Sequence, residues 1–266
     1  MKVLVTGGTG VLGRELVQRL NGRAEVRVLS RKPAERPGFV QGDLSTGDGL
    51  DAALEGVDVV AHLASASDYR HPERDVEQTR RLLAAAAPTR PHIVYISIVG
   101  VDKIPFGYYR AKLACEQMIE QSGLPRTTLR TTQFHDLALM LLMIVAKSPV
   151  VVLPRGLRGQ PVHAGEVADR MADLVLREPA GRVPDMGGPE VLESKPLVRR
   201  YLELTNQRRP VIQVPVPGRT LAGFRAGHHL LSDGGVRGTR TFEDYLAAKL
   251  GPNGSVSWPY KPTLRR

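Results

Sequence analysis

Short β-branched runs alternate with helix-period stretches over the first half of this chain. Val3–Thr6, Val26–Ser30, Phe39–Gln41, Val57–Leu63, Ile93–Ser97 and Thr127–Arg130 read as strands. Between them Gly10–Leu20, Gly49–Leu54, Glu73–Ala87 and Tyr108–Gln121 read as helices. In the first helix Leu12, Leu16 and Leu20 stand four residues apart, a stripe able to pack on a sheet. Such alternation implies right-handed βαβ crossovers and a parallel sheet, so the expected fold class is α/β and doubly wound.

After Thr131 the rhythm loosens. A helix over Phe134–Lys147, a strand over Val150–Leu153 and a helix over Gly165–Leu176 are expected. Pro and Gly then become frequent, with helical segments at Pro196–Thr205, Arg219–His228 and Thr241–Leu250, and Pro252–Arg266 reads as a loose tail. The expected division is a core over residues 1–135 and a small C-terminal lobe over 136–266, interleaved as one compact unit. That lobe is expected over the carboxyl edge of the sheet, where doubly wound folds take their ligands.

Composition narrows the classes. The 266 residues are 42% hydrophobic and 24% charged, ordinary for a globular chain. The longest apolar run, Leu137–Ala146, is about half the ~20 residues a membrane-spanning helix needs, so a buried helix and no membrane partner are expected. Lys2–Thr6 reads as a strand rather than a secretory leader, and Cys115 is the only cysteine, so a cytoplasmic location is expected. The net charge of +10 is spread over scattered arginines, among them Arg14, Arg80, Arg155 and Arg208, with aromatics at only 5%. A nucleic-acid binder concentrates its charge and interleaves stacking rings, so no nucleic-acid partner is expected. A solvated basic surface, or a basic cleft that attracts an anionic cofactor or substrate, accounts for the charge. His163, His228 and His229 lack partners at ligand spacing, and no metal site is expected.

The first candidate chemistry is the segment Thr6-Gly7-Gly8-Thr9-Gly10-Val11-Leu12-Gly13, which follows a strand and opens a helix. Gly7 permits the tight turn, Gly10 lets backbone approach a pyrophosphate, and Gly13 lets the helix lie close on the strand. The helix N-terminus offers free N–H groups and a positive dipole end to phosphates. Lys2–Arg31 therefore reads as a dinucleotide-binding βαβ half-unit of a Rossmann-type sheet, and the lobe beyond it as a substrate lobe. An acidic residue ending the second strand would hold the ribose hydroxyls of NAD. This chain has Ser30-Arg31-Lys32 there, and a hydroxyl followed by a guanidinium suits a 2′-phosphate. NADP(H) is expected over NAD(H); the competing reading is that Pro33 turns the chain and points Arg31 elsewhere. Asp43, in Gly42-Asp43-Leu44, suits either an adenine amino group or a helix N-cap. The small residues of His62-Leu63-Ala64-Ser65 would let backbone lie against the cofactor.

Ser97 closes the fifth strand, and Tyr108 and Lys112 follow four residues apart on one helix face. A tyrosine at its ordinary pKa of about 10 is a poor acid or base near neutrality. A nearby ammonium, reinforced by an oxidised nicotinamide, is expected to favour the phenolate and lower that pKa.

These residues together resemble the short-chain dehydrogenase/reductase superfamily, in its atypical NmrA-like NAD(P)H-binding branch. The resemblance rests on the Thr6–Gly13 turn, Ser30-Arg31, Gly42-Asp43-Leu44, the Tyr95–Gly100 strand and Tyr108/Lys112. Leu129–Phe134 is similar to the family's loop beside the nicotinamide, and Pro161–Ala168 to the motif where its C-terminal lobe packs back. The resemblance implies that Ser97 polarises a carbonyl, Tyr108 acts as acid/base and Lys112 holds the nicotinamide ribose. It implies cofactor contacts from Gly7, Thr9, Gly10, Val11, Leu12, Gly13, Ser30, Arg31, Asp43, Leu44, Leu63, Ala64, Ser65, Lys112, Thr131 and Gln133, and substrate contacts from Phe134 and His135. The helix Arg74–Ala87 carries no Asn at the position of the superfamily's usual proton relay. The expected function is NADP(H)-dependent reduction of a small carbonyl or quinone-like substrate. The alternative is a non-catalytic NADP(H)-binding sensor or regulator, a role some members of the branch have. A nucleotide-sugar epimerase fits less well, since the serine-to-tyrosine spacing is short. Monomer and homodimer remain equally open.

Overall fold

The computed structural model describes residues 1–32, 37–65 and 70–257 of the chain. The chain forms two units, Met1–Thr131 with Gly165–Asp185, and Thr132–Ala164 with the segment from Met186 onward.

The first unit begins β1 (Lys2–Thr6), α1 (Val11–Leu20), β2 (Glu25–Ser30), β3 (Phe39–Gln41), α2 (Leu50–Leu54) and β4 (Val59–His62). It continues α3 (Glu73–Ala86), β5 (His92–Ile98), α4 (Gly107–Gln121) and β6 (Arg126–Thr131). The second unit then opens with α5 (His135–Val145), β7 (Val151–Pro154) and β8 (Arg158–Gly159). The chain returns to the first unit for α6 (Ala164–Val175) and β9 (Gly181–Arg182). It finishes the second with β10 (Met186–Gly187), β11 (Leu192–Glu193), α7 (Ser194–Leu204), β12 (Val211–Val214), α8 (Arg219–Arg225), β13 (Val236–Arg237) and α9 (Phe242–Lys249).

Every strand pair in the first unit is parallel, in the order β9-β6-β5-β4-β1-β2-β3. Its main part reads 3-2-1-4-5-6, the doubly wound order whose direction of winding reverses between β1 and β4. The α/β expectation holds. Leu12, Leu16 and Leu20 are buried as their spacing predicts. On one face of the sheet Leu4, Val60, Ile93 and Tyr95 pack with Leu54 from α2, Leu82 and Ala86 from α3, and Cys115 and Ile119 from α4. Arg19 of α1 and Arg23 in the turn after it pair with Asp169 at 2.5 Å and Asp173 at 3.7 Å on α6.

The second unit has a core of its own. Leu139 and Leu142 of α5, Val151 and Leu153 of β7, Tyr201 and Leu202 of α7, and Phe242 and Leu246 of α9 pack together. Three small pairings complete it: β7 with β12 and β10 with β13, both parallel, and β8 antiparallel to β11.

Several expectations need correction. The apolar run Leu137–Ala146 is a helix, yet not a wholly buried one, for Leu141 and Ile144 are 51% and 47% exposed. No described helix is long and apolar enough to cross a membrane. The helix expected over Arg219–His228 stops at Arg225, because Gly227 turns to φ +80°. The tail is not loose throughout: Pro252–Gly254 makes a 3₁₀ turn and Leu250 bridges Val256. Residues 258–266 and Pro33 lie outside the described residues.

Candidate functional site

The β1–α1 turn is shaped by what it cannot accommodate. Gly7 sits at φ +70°, and a Cβ there would lie 2.7 Å from Ala64 N and 2.8 Å from Leu63 C. The turn therefore touches the end of β4 at the point where the winding reverses. Gly13 approaches still closer, its Cβ position being 2.1 Å from Gly7 O. Gly10 and Thr9 are exposed, and Gly10 as N-cap of α1 offers no side chain to the helix N–H groups. No acidic residue occupies the first turn of α1. Arg14 Nη1 donates to Thr9 O at 2.8 Å, which brings a guanidinium to the turn. Uncapped helix donors, bare backbone and a cation fit a diphosphate. Val11 is half-buried here, while the Leu12 side chain belongs to the core.

At the end of β2 the half-buried Ser30 Oγ accepts from Lys32 N at 3.2 Å. Arg31 and Lys32 are both exposed. After β3, Asp43 Oδ1 accepts from Ser45 N at 2.7 Å in a local turn, and α2 is capped by Gly49 instead. The helix-cap reading of Asp43 is thus set aside. Leu44 packs in the core.

Behind the turn runs a buried polar chain. Ala64 N donates to Thr6 Oγ1 at 3.2 Å, Thr6 Oγ1 lies 2.8 Å from His62 Nδ1, and His62 Nε2 lies 3.1 Å from Thr79 Oγ1. Thr79 spends its single proton on Asp75 O at 2.8 Å or on Cys115 Sγ at 3.3 Å. His62 Nε2 must then donate, and Nδ1 accepts from the Thr6 hydroxyl. Burial, with the Lys112 ammonium nearby, pushes the His62 pKa down to about 3 and keeps the ring neutral.

The three residues expected to do chemistry all belong to the first unit, but they do not pair as the spacing suggests. Lys112 is buried, with Nζ 4.6 Å from the centroid of the Tyr95 ring. Tyr108 instead places its hydroxyl 2.7 Å from Ser65 Oγ, and Ser65 Oγ donates to Asp75 Oδ2 at 2.7 Å. Asp75 lies on α3 and is buried. Burial, aided by the Asp75 charge and opposed by the Ser65 hydrogen bond, pushes the Tyr108 pKa up to about 12. Burial also holds the Lys112 pKa below its ordinary value, with Asp75 acting against the shift. The Ser97 Oγ is buried and meets no hydrogen-bonding partner among the described residues, an orphan donor that a bound ligand could satisfy.

The remaining expected contacts are placed as follows. Thr131, at the end of β6, is buried and its carbonyl accepts from Val99 N at 3.0 Å. In the second unit Gln133 Oε1 accepts from Gln160 N at 3.4 Å, and Phe134 caps α5 and bridges Val162. His135 is 0% exposed, donates from Nε2 to Pro161 O at 3.0 Å, and packs against Phe242 and Tyr245. The ring is thus enclosed within that unit's core. Among the described residues no group of His, Cys, Asp and Glu could hold a metal ion.

Sequence reasoning missed Asp75 and Thr79. Their signal was spacing, since both fall on the buried stripe of α3 with Leu82, Leu83 and Ala86. An acidic residue on a buried stripe asks for a partner.

A family profile described as NAD(P)H-binding matches residues 7–177. The chain is 31% identical over 206 residues to a (4-alkanoyl-5-oxo-2,5-dihydrofuran-3-yl)methyl phosphate reductase of Streptomyces griseus, covering 73% of this chain and 70% of that protein. It is 26% identical over 242 residues to the photosystem II assembly factor Ycf39 of Cyanophora paradoxa, covering 84% and 74% respectively. The fold is shared with an Escherichia coli NADPH-dependent quinone oxidoreductase, QOR2, solved with NADPH: TM-score 0.75, 20% identity, 92% of this chain and 99% of that one. The match over residues 7–177 spans the glycine turn, Tyr108 and Lys112, and with the Streptomyces relative it shows that the chain belongs to the NAD(P)H-binding family.

Proposed function

We propose that the protein is an NADP(H)-dependent oxidoreductase that reduces a small carbonyl or quinone-like substrate, with Tyr108 as the acid/base. The observation that carries this reading is the Tyr108 hydroxyl, held at 2.7 Å by Ser65 one residue beyond Ala64, which abuts Gly7. An ionisable side chain is thereby anchored next to a turn suited to a dinucleotide. The exposed Arg31 and Lys32 at the end of β2 support a 2′-phosphate, and hence NADP(H) over NAD(H). The reductase name of the Streptomyces relative supports the class of reaction. A bound reduced nicotinamide would supply the hydride. Tyr108 would deliver the proton to the substrate oxygen, Ser97 Oγ would orient that oxygen, and Lys112 would meet the ribose.

The test is NADPH consumption by the full chain with a panel of quinones and ketones, repeated with Tyr108→Phe. Loss of at least about a hundred-fold in kcat with unchanged NADPH affinity is expected, the scale of general acid catalysis. Turnover of every active substrate at the wild-type rate by Tyr108→Phe refutes the acid/base role.

One observation favours a second reading, a non-catalytic NADP(H)-binding regulator. The chain is also 26% identical over 242 residues to a photosystem II assembly factor, a relative whose name denotes no reaction. NADPH binding with no turnover of any panel member supports that reading.

A further inference from the structure

We propose that Asp75, acting through the Ser65 hydroxyl, is the far end of a proton relay that serves Tyr108. This inference rests on the proposed acid/base role of Tyr108 and supplies what that role lacks. The helix α3 has no asparagine with which to pass protons, and the Lys112 ammonium lies over the Tyr95 ring at 4.6 Å. What the fold does bring to Tyr108 is a hydroxyl and, behind it, a carboxylate.

The direction of the hydrogen bonds follows from counting protons. Ser65 has one, and it goes to Asp75 Oδ2 at 2.7 Å. In the 2.7 Å pair between Ser65 and Tyr108 the phenol must therefore donate. Each O–H along the wire points inward, from phenol to hydroxyl to carboxylate. Ser65 itself is exposed, whereas Asp75 is buried, so the wire runs from the surface of the unit to a fixed acceptor. Asp75 is held from its own side as well. Thr79, one turn along α3, donates to the Asp75 carbonyl at 2.8 Å, and Thr79 is in turn met by the neutral His62 ring. Among the described residues, the titratable groups facing this space are His62 on β4, Tyr95 on β5, and Tyr108, Lys112, Cys115 and Glu116 on α4. Asp75 is the acidic member that influences Tyr108, Tyr95, Lys112 and Cys115 alike.

The proton balance closes in both directions. In alcohol oxidation the Tyr108 O–H bond breaks as Ser65 gains a proton, and the Ser65 proton passes to Asp75 Oδ2. The phenolate left behind takes the hydroxyl proton of the alcohol, while the hydride and its two electrons go to an oxidised nicotinamide. In reduction the same bonds form and break in reverse. Protonated Asp75 feeds Ser65, Ser65 refills Tyr108, Tyr108 protonates the substrate oxygen, and solvent then restores the proton on the buried Asp75 back through the exposed Ser65 hydroxyl, the route by which it leaves after oxidation. Asp75 touches no substrate in this scheme. It is a positioning and relay group.

The experiment compares the full-length wild type with Asp75→Asn, Ser65→Ala and Tyr108→Phe. Ser65 is exposed, so its variant breaks the wire without disturbing the core and stays informative should Asp75→Asn fold poorly. With an active substrate, both Asp75→Asn and Ser65→Ala should lower kcat about ten-fold or more and remove a limb of the pH profile, with KM for NADPH within about two-fold of the wild type in Asp75→Asn. Independently of turnover, the phenolate absorbance that Tyr108→Phe deletes should titrate at a lower pH in Asp75→Asn, because a neighbouring negative charge is gone. Wild-type pH profiles in both wire variants, alongside a dead Tyr108→Phe, overturn the relay and leave the acid/base role standing. A fully active Tyr108→Phe overturns both. An unmoved phenol titration in folded Asp75→Asn overturns the coupling whatever the turnover shows.

Discussion

Replacing Gly13 by alanine sets two local effects against each other, and the geometry decides the sign. In an exposed helix interior Gly→Ala stabilises by about 1 kcal/mol through backbone entropy. At Gly13 the added carbon would stand 2.1 Å from Gly7 O, 2.6 Å from Gly8 Cα and 2.8 Å from Gly7 C. All three are backbone atoms of the turn, so no rotamer relieves the overlap. Either α1 lifts by about an ångström or the turn opens, and overpacking of this kind costs about 1–3 kcal/mol or more. The turn is also fixed on its other side, where Gly7 abuts Leu63 and Ala64, so the helix is the part that yields. A net loss of about 1–2 kcal/mol corresponds to a fall in Tm of about 2–8 °C for a chain of this size. Lifting α1 also moves its N–H groups off the phosphate position, so NADPH should bind at least about ten-fold more weakly, a cost near 1.4 kcal/mol. Gly10→Ala is the matched control. Its Cβ would meet only Gly7 O, at 3.2 Å, so the stability cost should stay below about 1 kcal/mol while the cofactor's backbone approach is obstructed. Thermal melts and NADPH fluorescence titrations of both variants provide the measurement. A Gly13→Ala protein that melts at or above the wild type and binds NADPH equally well refutes the reasoning.

Two further outcomes follow from the same site. His62 has an ordinary pKa near 6.5 that the fold pushes down to about 3, so the unfolded chain binds a proton the folded one refuses. Its contribution is complete above about pH 6.5 and drains away as the pH falls towards 3, by up to ~1.4 kcal/mol per pH unit. Chemical denaturation at stepped pH should therefore show a shallower acid slope in His62→Asn than in the wild type, and equal slopes count against a buried neutral imidazole. Arg31→Ala should raise the Kd for NADPH about ten- to a hundred-fold, the ~1.5–3 kcal/mol of a charged hydrogen bond, and leave NADH unaffected. Equal weakening of both cofactors would mean that Arg31 does not face the 2′-phosphate.

The parts of this fold legible in the chain are those where one local rule suffices. The glycine turn needs backbone without Cβ atoms, and the Leu12–Leu16–Leu20 stripe needs only helical spacing, so both were readable and both stand. Strands β8, β9, β10, β11 and β13 are two residues long and carry no period to detect. Strand β12 is a four-residue run closed between Pro210 and Pro215, and only its parallel pairing with β7 defines it. Isolated strands of that length hold no structure alone.

The site was half legible for a related reason. Spacing shows that Tyr108 and Lys112 share a helix face, but not which neighbour each head finds, because that depends on what β4, β5 and α3 bring alongside. Lys112 is buried over the Tyr95 ring, and its charge is offset by the field of Asp75 rather than by Tyr108. Tyr108 is left to Ser65, whose place is set by the loop after β4. The deciding residue is Asp75. Read as part of a solvated helix start, it adds only to the acidic first turn of α3, beside Glu73. Read on the stripe with Thr79, Leu82 and Ala86, it is a carboxylate pointed into the interior, and a buried carboxylate is retained only where charge or hydrogen bonds compensate it. Among the described residues Ser65 Oγ and the Lys112 ammonium contribute to that compensation, two groups that sequence reading had reserved for the cofactor. A charge out of phase with helix polarity was the one signal in the chain that Ser65 and Lys112 are braced from behind by a carboxylate.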